Sequence, residues 1–136
     1  MNLPSSKEIV EDMAFFDDWE QRYQYIIDLG KSIPPIDESL KTNENIVRGC
    51  QSNVWLVSTE QDGKLQFHAD SDAVIVNGLL ALVIAVFNDK TMVQILDFDI
   101  NGYFKELDLE RHITPTRGNG LQAIVAKIQA IAKTKI

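Results

Sequence analysis

The chain has 136 residues, 45% of them hydrophobic and 24% charged, which suits a soluble globular protein with one core and argues against disorder. Lys and Arg number 13 against 20 Asp and Glu, a formal charge of −7. With no basic stripe or tail to neutralise phosphates, neither nucleic acid nor an anionic membrane is expected as a partner, whereas a more basic protein surface is compatible. A single cysteine, Cys50, excludes an internal disulfide and a multi-thiolate metal site. No resident metal or cofactor is expected.

The N-terminal M-N-L-P-S-S-K-E lacks a basic segment followed by an apolar one, so no secretory signal is expected. A reducing cytoplasm is the expected compartment. Ser5 with Glu8 has the spacing of a capping box and predicts a short helix ending near Phe15. Asp17, Asp18 and Glu20 suit the N-terminus of a second helix. Trp19, Tyr23, Ile26, Ile27 and Gly30 fall on one face of it, a stripe better read as core than as a ligand box. Gly30 is expected as its stop, with Pro34-Pro35 barring continuation.

Ile36 to Asn45 reads as a polar loop. Then comes I-V-R-G-C-Q-S-N-V-W-L-V, from Ile46 to Val57. Gly49 allows a sharp turn before the thiol, and Gln51, Ser52 and Asn53 favour loop conformations. Val54 to Thr59 is β-branched and apolar enough for a strand. Cys50 is therefore expected on a loop feeding a strand. Arg48, two residues away, is expected to favour thiolate over thiol. The residues alone leave two readings open: a small packed hydrophobe, or a reactive nucleophile.

Asp62-Gly63 is a hairpin signal. Leu65, Phe67 and Ala69 then alternate with Gln66 and His68, giving an antiparallel partner with one buried face and His68 on the wetter one. Asp70, Ser71 and Asp72 are expected to cap a third helix over about Ala73 to Phe87, apolar nearly all round and so central. It is too short to span a bilayer and is interrupted by Asn77-Gly78. Thr91 with Gln94 predicts a short helix ending near Asp97, and Asn101 to Lys105 a further turn. Asp97 and Asp99, with Asp108 and Glu110 beyond, read as solvated carboxylates.

Thr114 to Gly120 reads as a polar approach to the last helix, whose apolar face is Leu121, Ile124, Val125, Ile128 and Ile131. Arg117-Gly118-Asn119-Gly120 lacks the spacing of a dinucleotide or P-loop fingerprint. Helices, a small antiparallel sheet, then more helices argue for an α+β fold.

The run R-G-C-Q-S-N-V-W within Ile46 to Val57 resembles the signature of the SufE/CsdE family of sulfur-acceptor proteins. Trp19 to Gly30, Asp70 to Gly78, and Leu109 to Ala123 resemble the family too, in the same order. The resemblance covers nearly the whole chain and implies a single domain over residues 1–136. It implies a small sheet with helices on one side, like the IscU-type scaffolds of iron–sulfur cluster assembly.

Members of that family accept sulfane sulfur from a cysteine desulfurase that uses pyridoxal phosphate. They carry it as a persulfide on the motif cysteine, here Cys50. They pass it on for iron–sulfur assembly and stimulate the desulfurase, without being enzymes themselves. Asp72 and Arg117 fall in matching stretches, which implies docking or loop-positioning roles. A carrier needs one thiol, whereas a cluster scaffold needs several ligands, so the cysteine count favours a carrier. A persulfide is prone to oxidation, so the loop is expected to shelter it. A single-thiol redox sensor and a non-catalytic interaction module are the alternatives.

Overall fold

The computed structural model describes residues 3–50 and 52–135; Met1, Asn2, Gln51 and Ile136 lie outside the described residues, and with them part of the N-terminal reading and one position of the cysteine motif. The elements follow in the order α1 (Ser6–Phe15), α2 (Trp19–Lys31), β1 (Val54–Gln61), β2 (Lys64–Ser71), α3 (Val74–Phe87), α4 (Met92–Asp97), α5 (Ile100–Glu106) and α6 (Pro115–Thr134). This is the expected α+β class.

The predicted caps form where the side chains can reach. Ser5 accepts from the Glu8 amide while Glu8 accepts from the Ser5 amide, and Thr91 and Gln94 repeat the pair at α4. Asp18 Oδ1 accepts from the Gln21 amide to open α2. Asp99 does the same for the Gly102 amide at α5. The expected turn at Asn101 to Lys105 is thus a helix of seven residues.

The hairpin β1–β2 turns at Asp62 (φ 54°) and Gly63 (φ 78°), the two positive φ values of a type I′ turn. Its register pairs Val54 with Ser71 and Gln61 with Lys64. Leu65, Phe67 and Ala69 face the core, as the alternation predicts. The outer edge of β1 is partly covered. Leu56 N–H donates to Asn45 (2.8 Å), Val47 N–H donates to Val54 (2.8 Å), and Ile46 bridges to Trp55. Residues 45–47 thus act as a short extra rung on the sheet.

Helix α3 is the centre of the core. Leu80, Ala81, Leu82, Val83 and Ile84 are each fully buried. Burial of each large aliphatic side chain is worth about 1.5–3 kcal/mol, so α3 gains far more from packing than from helix propensity. It crosses α2 and lies on β2.

The structure departs from the sequence reading at three helix ends. Gly30 does not stop α2, which runs on to Lys31. A Cβ on Gly30 would lie 2.6 Å from the Gly78 backbone nitrogen, so this glycine is selected by the close crossing with α3. The Asp70-Ser71-Asp72 run does not supply the N-cap of α3. Strand β2 continues through Ser71, and Ala73 occupies the cap position with no capping side chain. Helix α6 begins at Pro115 with Thr114 as N-cap, so Arg117 to Gly120 are helical rather than an approach to the helix.

Trp19 ties α2 to the start of α6. Its ring stacks on His112 at 3.9 Å between centroids, Arg22 covers it at 5.4 Å, and Tyr23 donates to the His112 carbonyl. This fixes where the first turns of α6 lie, and those turns form one wall of the site described next.

Candidate functional site

Cys50 lies just before β1, between that strand and α6. Gly49 has φ 96°, a backbone conformation that side chains rarely adopt, and a Cβ on it would meet Ala123 Cβ at 3.3 Å. The Gly-Cys order is therefore physically required by the turn. It swings the Cys50 side chain toward α6, where Sγ donates to the Gly120 carbonyl at 3.5 Å. A Cβ on Gly120 would sit 3.5 Å from the sulfur, in ordinary van der Waals contact.

A cavity of about 50 Å³ opens beside the thiol. Val76 and Leu79 of α3 with Leu121 and Ile124 of α6 form its apolar wall, while Ser52, Thr116 and Arg117 line its polar side. That volume exceeds what one water molecule needs. Cys50 is half-buried there, and burial pushes its thiol pKa above the ordinary value. The expectation that Arg48 would hold it toward thiolate finds no support in this arrangement, where burial is the cause of the shift. Arg48 is exposed, and its charge acts instead on Lys127.

Asp72 is exposed at the end of the hairpin and accepts from Asn53 Nδ2 at 3.1 Å. Ser71, buried beneath it, donates to the Asn53 carbonyl at 2.7 Å and accepts from the Ala73 amide at 3.2 Å. Asn77 of α3 holds both backbone groups of Ser71, accepting from its N–H at 2.9 Å and donating to its carbonyl at 3.0 Å. These contacts clamp the mouth of the hairpin next to the cysteine segment.

Of the four residues singled out from the sequence, Cys50 and Arg117 share the cavity, Asp72 stands on the neighbouring clamp, and Arg48 lies in solvent. Sequence reasoning missed Gly120, Asn53, Ser71, Asn77 and Lys127. Lys127 donates to the Ile46 carbonyl at 3.0 Å and to that of Glu44 at 3.5 Å. Its one readable signal is spacing: Gly120, Ala123 and Lys127 fall at i, i+3 and i+7 on one helical face. Among the described residues, no group of three His, Cys, Asp or Glu side chains is placed to hold a metal ion. Nor is any described helix long and apolar enough to cross a membrane.

Comparison with known proteins gives the family and the fold. The profile described as "SufE: Fe-S metabolism associated domain" matches residues 7–132. An uncharacterized SufE-like protein of Rhizobium meliloti (strain 1021) is 39% identical over 98% of this chain and 99% of its own length. The solution structure of a hypothetical protein from Thermus thermophilus shares the fold, with a TM-score of 0.79 over 98% of this chain and 97% of that one, at 21% identity. The chain belongs to the SufE family, a family associated with Fe–S metabolism.

Proposed function

We propose that this protein is a sulfur acceptor that takes persulfide sulfur from a pyridoxal-phosphate-dependent cysteine desulfurase onto Cys50, stimulates that enzyme, and passes the sulfur on for iron–sulfur cluster assembly. The observation that carries the reading is a lone thiol, half-buried beside a small cavity with an apolar wall, on a segment held by α6. Family membership supports the sulfur-acceptor role.

The step balances simply. The Cys50 thiolate attacks the outer sulfur of the desulfurase persulfide. One sulfur–sulfur bond forms as another breaks, and the desulfurase cysteine leaves as thiolate. No electrons are gained or lost overall. The resting thiol is disfavoured as thiolate, because burial opposes the charge and the Gly120 carbonyl offers an acceptor where an anion needs a donor. Docking of the partner must draw Cys50 out before it reacts. Such a resting state protects the thiol, and the persulfide after it, from adventitious oxidation. A peroxide sensor needs the opposite arrangement, an exposed thiol with thiolate character, so the redox-sensor reading receives no support here.

Arg117 lies on the cavity's polar side, where its charge is available to the anionic sulfur. Arg48 and Asp72 are exposed and are suited to docking. The pyridoxal phosphate belongs to the desulfurase. The test is intact mass after incubation with a desulfurase and cysteine. The wild type gains one sulfur that a reductant removes, and Cys50→Ser gains none. A gain that persists in Cys50→Ser sinks the assignment.

A further inference from the structure

The segment Glu44 to Cys50 lies along α6 in register with one helical face. Ile46 sits against Lys127, Gly49 against Ala123, and Cys50 against Gly120. The sheet explains why Lys127 is needed. The Asn45 carbonyl and the Val47 N–H are both taken up by β1. Alternation along an extended segment turns the Ile46 carbonyl the other way, out from the sheet. That carbonyl needs a donor, and the Lys127 ammonium, which has donors to spare, supplies it at 3.0 Å while also reaching Glu44.

The arrangement is unusual electrostatically. Lys127 is partly buried, and among the described residues no carboxylate pairs with it. Burial, and then the nearby Arg48 charge, lower its pKa. Against that penalty the ammonium donates to two backbone carbonyls of the segment.

We propose that Lys127 is the positioning residue for Cys50: by holding the Glu44 and Ile46 carbonyls against α6, it sets how deeply the thiol sits beside Gly120. The proposal rests on the reading that Cys50 is the reacting group. Alkylation nevertheless reports access to the thiol whether or not sulfur is its natural cargo, so the two ideas fail separately.

The experiment is the rate of Cys50 alkylation by iodoacetamide across pH in the free protein. Lys127→Met keeps the apolar stem and removes the donors. Loss of the charge-assisted hydrogen bond to Ile46, and with it the longer one to Glu44, should speed alkylation roughly tenfold at neutral pH and move the pH midpoint down toward that of the unfolded chain. Lys127→Arg keeps donors and should stay within about threefold of wild type. Ile9→Val, in the core of α1, is the control for a general loss of stability and should leave the midpoint unmoved. Alkylation of Lys127→Met at the wild-type rate and midpoint overturns the proposal, as does an equal shift in Ile9→Val. Should Lys127→Met not fold, Lys127→Leu, which likewise lacks donors, decides the question by the same two outcomes.

Discussion

The Cys50 thiol and the Gly120 carbonyl meet at 3.5 Å across 70 residues of chain, and Gly120 presents no side chain beside the sulfur. A methyl added there would touch the sulfur at ordinary van der Waals distance, without collision, but it would occupy space beside the cavity. Gly120→Ala should therefore fold at least as well as wild type, because alanine is favoured over glycine in a helix by about 1 kcal/mol. Sulfur loading from a desulfurase should nevertheless fall roughly threefold to tenfold, a loss consistent with about 1 kcal/mol of crowding. Intact-mass time courses beside thermal unfolding separate the two effects. Unchanged loading would show that the space beside Gly120 plays no part.

The raised pKa of Cys50 carries its own pH signature. Burial opposes the thiolate, so at a given pH the folded protein holds less of it than the unfolded chain. Alkylation of the folded protein should thus be slower near neutrality, with a midpoint above the ordinary thiol value of about 8.5. The linkage runs the same way. The contribution to stability is fully present below the unfolded pKa and is lost as pH rises through the folded one. Cys50→Ser should flatten that alkaline decline in urea-unfolding free energy. A folded-state midpoint at or below the unfolded one would contradict the buried-thiol picture.

Gly30 and Gly78 set how closely α2 and α3 approach. A Cβ on Gly78 would lie 2.5 Å from the Ile26 carbonyl oxygen and 2.6 Å from Ile26 Cγ2. Backbone cannot move aside as a flexible side chain can, so the crossing must open. Gly78→Ala should destabilise the protein by about 1–3 kcal/mol despite its better helix propensity. Gly118→Ala is the counter-case. Its Cβ would meet only Ile113 Cδ1 at 3.9 Å, so stability should hold or rise by up to about 1 kcal/mol. Urea midpoints for the two variants should move in opposite directions.

These glycines also show what the sequence alone can and cannot reveal. Signals are readable wherever their cause is local. The capping boxes at Ser5 and Thr91, the Asp62-Gly63 turn and the alternation of β2 all depend on neighbours within a few residues. Cys50 before β1 is legible for the same reason, helped by a specific family motif. Gly30 reads wrongly as a stop because its cause, the α3 backbone, lies far along the chain. The start of α6 reads wrongly because two glycines outweigh Thr114 and Pro115, an N-cap followed by a proline in the first helical position. Arg48 illustrates the limit at the site itself. Two residues of separation bring it close in sequence, yet a turn at Gly49 sends the thiol toward α6 while Arg48 stays in solvent.

Asn77 offers the last test, because it replaces a missing strand. Beyond Ser71 the chain leaves the sheet, and the backbone of Ser71 would otherwise lack partners on its outer edge. The Asn77 amide supplies both, at 2.9 Å and 3.0 Å. Ser71 in turn holds the Asn53 carbonyl, three residues after Cys50. Asp70 Oδ1 also accepts from the Ser71 amide, so the N–H keeps one partner when Asn77 is removed, whereas the carbonyl loses its donor. Asn77→Ala should accordingly cost about 1–3 kcal/mol, mainly from that part-buried carbonyl. Native-state hydrogen exchange should show faster exchange at Ser71 and Ala73, while Leu65 and Phe67 at the other end of β2 stay protected. Uniform acceleration along β2 would mean that Asn77 supports the fold at large rather than this mouth of the hairpin.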